Sequence, residues 1–193
     1  MPFGSEAVRL ARASVESEVR GIPLSFVPED GRFMEPSGVF VTLSIYPSHD
    51  LRGCIGFPMP YYQAGRAIEE SARAACHDPR FPDLRERELD HITVEVTVLT
   101  VPEEIHAETQ EDIVSSIVIG RDGLILEYRG NRGLLLPQVP VEWGWDAKEY
   151  LAHLSMKAGL PPDAWTYKGA RISSFHGEIY HETTPNGDVT RGE

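Results

Sequence analysis

Cys54 is one of two cysteines in a chain of 193 residues, and it stands in Leu51-Arg52-Gly53-Cys54-Ile55-Gly56. A thiolate is the nucleophilic form of cysteine, and a guanidinium within reach favours it. Glycine leaves the backbone bare, so a ligand can approach closely. The stretch therefore holds the parts of a thiol site. Cys54 is the candidate nucleophile or thiol acid/base, Arg52 the candidate holder of an anion, and Gly53 and Gly56 the backbone a ligand can lie against. Arg80, in Asp78-Pro79-Arg80-Phe81-Pro82, is a second candidate anion holder. A plainer reading stands beside this one. A free cysteine is also a small buried hydrophobe, and glycines also serve bulges and tight turns. A nucleophile needs a base within reach. His49 precedes Cys54 across a turn and His77 follows the next helix, but neither spacing is diagnostic.

Other chemistry-bearing residues are more scattered. Arg66 and Arg73 share a helix face and would enlarge an anion pocket if they converged with Arg52 and Arg80; the alternative is pairing with the acidic residues around them. Of possible metal ligands, His176-x-Glu178 shares a strand face and Cys76-His77 are adjacent, but there is no His-x-x-x-His and no Cys-x-x-Cys. No metal and no cofactor is expected. Glu95 sits mid-strand among threonines, as an acid/base or as part of a solvated sheet face. Trp143-Gly144-Trp145 and Phe81 offer aromatic surface to a partner or close the core beside a helix start. Gly120-x-x-Gly123 and Gly130-x-x-Gly133 are hairpin turns, not phosphate loops, because no helix follows at the right point.

The elements that must position these residues follow from periodicity. Val8, Ala11, Val15 and Val19 form one stripe of a helix capped by Ser5 and ending near Arg20. Residues 22–37 are a proline-rich connection. Val39, Val41, Leu43 and Ile45 alternate with Phe40, Thr42, Ser44 and Tyr46 in a strand. After a turn at 47–50 the cysteine stretch returns as its partner, with Arg52 and Cys54 on one face by the period of two. A helix over 61–76 carries the small apolar residues Ala64, Ala67, Ile68, Ser71, Ala72 and Ala75, and Asp78-Pro79 stops it. Ile92–Val101 is the longest strand. A short capped helix starts near Thr109. Residues 117–119 and 124–129 flank a hairpin turn at 121–123, and 130–133 form a second turn. Leu134–Val139 is an edge strand or loop entry. Asp146 and Glu149 form a capping box for a helix to Ala158, and Ile172–Tyr180 is a final strand. Residues 183–193 read as a flexible tail. Strands in runs, joined by hairpins and broken by helices, give an α+β fold with a mainly antiparallel sheet flanked by helices.

Composition narrows the partners. The chain carries a formal charge of -12, which disfavours nucleic acid and anionic membrane surfaces. No apolar run approaches a membrane span. Two cysteines fit a reducing compartment, and the polar N-terminal segment does not read as a secretory signal. The expectation is a cytoplasmic protein.

The motif around Cys54 resembles that of the AMMECR family. Gly38-Val39-Phe40-Val41-Thr42 leads into it, and Asp78-Pro79-Arg80-Phe81-Pro82 follows. Leu134-Leu135-Leu136-Pro137-Gln138-Val139, Trp143-Gly144-Trp145-Asp146 and Lys157-Ala158-Gly159-Leu160 complete the pattern over nearly the whole chain. The resemblance implies one domain over 1–182 in two lobes, the larger built from both chain ends and the smaller inserted, expected at about 47–90. It places the cysteine motif near the groove between the lobes. It implies no settled activity, and it suggests a Memo-like or radical-SAM protein as partner; the chain lacks the Cys-x-x-x-Cys-x-x-Cys of a radical-SAM cluster. Two functions follow. One is a module that binds a ligand or partner around Leu51–Gly56, strand addition of a peptide included. The other is a small-molecule enzyme with Cys54 as its thiol and Arg52 and Arg80 holding an anionic substrate. The missing base favours binding.

Overall fold

A computed structural model describes residues 3–192, and the chain divides into two compact units. The first unit takes the described residues up to Leu99 and those from Glu178 onward; the second is Thr100–Gly177. The inserted segment is therefore 100–177. Residues 47–90 belong to the first unit, because their strand is paired into its sheet and their helix packs on that sheet.

In the first unit, helix α1 (Phe3–Arg20) buries Ala7, Val8, Leu10, Ala11 and Val15. It begins before Ser5, which lies inside the helix. Strands β1 (Val39–Ile45) and β2 (Asp50–Phe57) form the expected antiparallel hairpin. Helix α2 (Ala64–Ala75) buries all six of its predicted stripe residues. Their small side chains bring the helix close to the sheet, where Val41 and Leu43 meet it. Strand β3 (Ile92–Leu99) pairs antiparallel with β1 on the side opposite β2.

The second unit has its own core of Leu124, Leu126, Tyr150, Leu151, Leu154, Ala158 and Ile172. Strands β4 (Glu103–Glu104), β5 (Gly123–Tyr128), β6 (Asn131–Leu135) and β7 (Arg171–Phe175) form one sheet in the order β4-β7-β5-β6. The helices are α3 (Gln110–Ser116), α4 (Gln138–Trp143) and α5 (Ala147–Lys157). Capping boxes at Thr109/Asp112 and Asp146/Glu149 start α3 and α5. The hairpin turns at Arg129-Gly130, not at 121–123. The 117–122 segment is not a strand, because the Asp122 carboxylate accepts the Val118 N–H (2.8 Å) and the Asp122 N–H bonds the Val118 carbonyl (3.0 Å), closing a tight turn. After β6, Pro137 precedes α4 directly.

The expected single strand over 172–180 is two. β7 ends at Phe175, and β8 (Gly177–Glu182) belongs to the other sheet, with the change at His176. Residues after 182 are not a free tail. They turn through Thr183 and Asp188 into β9 (Val189–Arg191), which pairs with Tyr180–Glu182; Glu193 lies outside the described residues. The first unit's sheet thus runs β2-β1-β3-β8-β9. Its C-terminal strands are fixed by a buried ion pair. Arg12 of α1 binds Glu182 of β8 (Nε to Oε1, 2.9 Å) and also donates to the carbonyls of Leu89 (3.1 Å) and Ile92 (2.8 Å). Glu182 accepts the Val94 N–H (3.0 Å) as well. The architecture is α+β, with β1 pairing antiparallel to β2 and β3, β8 to β9, β4 and β5 to β7, and β5 to β6. Among the described residues no helix is long and apolar enough to cross a membrane.

Candidate functional site

Cys54 lies in β2, an edge strand of the first sheet. Its Cα faces Thr42 of β1, and the Thr42 hydroxyl donates to Sγ at 3.3 Å. The Cys54 backbone N–H and C=O point away from β1, as they do in a non-hydrogen-bonded antiparallel pair. Two side chains close that edge. The Asp78 carboxylate accepts the Cys54 N–H (2.9 Å), and Arg80 Nη2 donates to the Cys54 carbonyl (3.3 Å). Arg80 also grips Asp78 through Nε (3.0 Å) and Nη2 (2.7 Å). Asp78 is buried while the Arg80 side chain is 55% exposed. The Arg80 hydrogen bonds, joined by the Cys54 N–H, hold the Asp78 carboxyl well below the usual carboxylate range. Strand addition of a peptide at Cys54 would meet this clip, so the edge is closed there.

Arg52 takes a different course from the one its spacing predicts. The β1–β2 register passes from Leu43↔Gly53 to Ser44↔Leu51, so Arg52 is the extra residue of a bulge. The bulge breaks the alternation that would pair it with Cys54. Its guanidinium instead bonds Glu88 through Nε (2.8 Å) and Nη2 (3.3 Å), and the residue is buried. Glu88 belongs to a 3-10 turn at Glu86–His91 and also accepts the Arg85 N–H. Arg52 is thus a structural tie, not a free anion holder. Gly53 and Gly56 also answer to packing. A Cβ on Gly53 would collide with the Ala75 carbonyl oxygen of α2, and one on Gly56 with the Val39 carbonyl oxygen and the Phe40 ring.

The remaining candidates disperse. Arg73 bonds Glu18 (3.1 Å), and Arg66 pairs loosely with Glu70 (3.9 Å) and lies over the Tyr62 ring. His77 bridges Asp83 (2.9 Å) and Glu18 (3.1 Å), which raise its pKa, and His49 occupies an exposed turn. Both ring nitrogens of His77 are thus taken by carboxylates, and neither histidine hydrogen-bonds the Cys54 thiol among the described residues. Burial pushes the Cys76 thiol up to about 12, and its Sγ donates to the Ala72 carbonyl. His176 approaches Asp122 at 4.0 Å, while Glu178 pairs with Arg32 and Arg191, so the two do not share a site. Trp145 stacks on His153, with ring centroids 3.7 Å apart, and Trp143 is exposed. The Phe81 ring lies beneath Arg80, 5.7 Å from its guanidinium carbon. No group of three His, Cys, Asp or Glu is placed to hold a metal ion among the described residues.

What the structure does assemble is a polar row on the sheet face away from α1 and α2. Val41 and Leu43 point into the core, so Thr42 points the other way. Its partners across the strands are Cys54 on β2 and Glu95 on β3. On β8, buried Glu182 fixes His181 on that same outer face, and His181 faces Thr190 of β9 with Nε2 3.2 Å from its hydroxyl. Cys54, Thr42, Glu95 and His181 are each half-buried. Burial raises the Glu95 carboxyl above its ordinary value, with His181 opposing it. A carboxyl with a raised pKa is suited to exchange a proton or donate a hydrogen bond. Thr42 carried no signal of its own in the sequence. Its alternation with Val41 and Leu43 put it on the outer face, but its alignment with Cys54 and Glu95 needs the three-strand register.

The AMMECR1 family model matches residues 8–180. The chain belongs to the AMMECR1 family. Protein MJ0810 of Methanocaldococcus jannaschii is 50% identical to it over 187 residues, covering 96% of this chain and 93% of that one. A relative from Thermococcus gammatolerans is 49% identical over 195 residues, covering 98% and 95%. The crystal structure of the uncharacterized protein PH0010 from Pyrococcus horikoshii superimposes with a TM-score of 0.72 at 45% identity, covering 98% of this AMMECR1-family chain and 96% of that one. None of these names states an activity.

Proposed function

We propose that this chain is a ligand-binding module that takes a small polar molecule on the outer face of its five-stranded sheet, at Cys54, Thr42, Glu95 and His181. The observation that carries this reading is the register, which sets a thiol, a hydroxyl and a carboxyl side by side on β2, β1 and β3, with the His181 imidazole on the next strand, β8, and near enough to act on the Glu95 carboxyl. Four different hydrogen-bonding groups, half-withdrawn from water, make a selective surface for a polar ligand. Arg80, exposed at the strand edge beside Cys54 and paired with Asp78, closes one end of the row. The test is a thermal-shift screen of polar metabolites on the wild type, Thr42→Val and Glu95→Gln. The expected result is a compound that stabilises the wild type and loses that effect in both variants. Compounds that stabilise all three proteins equally would contradict the assignment.

The enzymatic reading has one observation in its favour. Glu95 lies two strands from Cys54 on the same face and, with its raised pKa, supplies the acid/base group that no spacing near Cys54 identifies. Cys54→Ser separates the two. An enzyme keeps its ligand affinity and loses turnover; a binding module keeps affinity and shows no turnover in either form.

A further inference from the structure

The second unit has a cleft of about 260 Å³ at its β5–β6 hairpin, lined by Glu127, Arg129, Arg132 and Arg171 with the backbone of Gly130 and Gly169. Two guanidiniums, Arg132 and Arg171, flank the one carboxylate, and Arg129 adds a third positive charge to the lining of the cleft, in a chain whose overall charge is -12. Glu127 is shared between Arg171 (3.0 Å) and Arg132 (3.6 Å). Arg129 pairs with no carboxylate among the described residues, and its guanidinium lies over the Tyr128 ring, 5.2 Å from the centroid. The turn itself is informative. Tyr128 and Asn131 flank a two-residue loop in which Arg129 (φ 48°) and Gly130 (φ 84°) are both left-handed. That loop favours Asn or Gly at its first position, and an arginine there is strained. A charged side chain kept where the backbone disfavours it points to a use for the charge.

We propose that this cleft binds a small molecule bearing a phosphate monoester, held by Arg129, Arg132 and Arg171. The excess of two positive charges over Glu127 matches a phosphate monoester, which carries nearly two negative charges near neutral pH and three acceptor oxygens. Planar guanidinium forks suit those oxygens, and a carboxylate offers one charge and two oxygens. The site lies within the second unit and is independent of the Cys54 row.

The experiment is a titration of the full chain with phenyl phosphate, read by the backbone amides of residues 129–132. Benzoate and sodium chloride at matched ionic strength are the comparisons. Saturable shifts with phenyl phosphate, weaker by about tenfold or more in Arg129→Asn and Arg171→Ala and unchanged in Arg66→Ala and Cys54→Ser, are the expected result. Because Asn suits the turn, Arg129→Asn should unfold at a temperature equal to or above that of the wild type while binding less, which a purely structural arginine would not do. Equal binding of benzoate would overturn the phosphate assignment. Chloride shifts of the same size, or unchanged affinity in Arg129→Asn, would overturn the site.

Discussion

At the residue scale, the two cysteines are separated by what surrounds them. Cys76 is 1% exposed and its thiol is pushed up to about 12, while Cys54 is half-buried on the outer face. Iodoacetamide should therefore modify Cys54 in the folded protein and Cys76 only after unfolding, as peptide mass spectrometry would show. Labelling of both at the same rate would contradict the placement. Asp78 tests the clip on the strand edge. Asp78→Asn removes the charge that holds Arg80 and weakens the acceptor for the Cys54 N–H, and it should cost about 1.5–3 kcal/mol in urea unfolding at neutral pH. Because the folded carboxyl titrates below its ordinary value of 3.8, its contribution is fully present above that value and fades as pH falls toward the folded pKa. The gap between wild type and variant should thus narrow below about pH 4.

At the scale of elements, the parts that were legible are those whose signals are local. The α2 stripe, the β1–β2 hairpin and the α5 capping box each depend on residues a few positions apart. The bulge at Arg52 was not legible, since nothing in Leu51–Gly56 alone says which residue is left unpaired. The pairing of Arg52 with Glu88 and of Asp78 with the Cys54 backbone likewise joins segments far apart in the chain. Polar character hid the last strand. Val189–Arg191 looks like tail by composition and becomes β9 because β8 offers it an edge. The buried Arg12–Glu182 pair carries the clearest stability prediction. Arg12→Met strands a carboxylate beside the Val94 amide and should cost about 3–5 kcal/mol, measured by chemical denaturation. A change under about 1 kcal/mol would mean that solvent reaches Glu182.

At the scale of the whole molecule, two hydrophobic clusters define two units, one contiguous and one built from both ends of the chain. The resemblance implied an insertion and led to one at about 47–90, whereas the inserted unit is 100–177; its end was hidden because the switch at His176 sits inside a run that reads as one strand. A fragment of residues 100–177 carries a complete core and should unfold cooperatively by circular dichroism. A fragment of residues 1–99 lacks β8 and the partner of Arg12 and should not. Of the proposed site, Cys54, Arg80 and Glu95 were singled out in the sequence. Thr42 and His181, and the alignment of Glu95 with Cys54, come only from the non-local pairing of strands.

The most direct test of the outer-face site is an amide chemical-shift map of the full-length protein during a screen of small polar metabolites. The account predicts that a saturable ligand moves the amides of Thr42, Cys54, Glu95 and His181 together, and that Glu95→Gln abolishes the effect. Saturable ligands that leave all four unmoved, or that bind Glu95→Gln as tightly as the wild type, would contradict it.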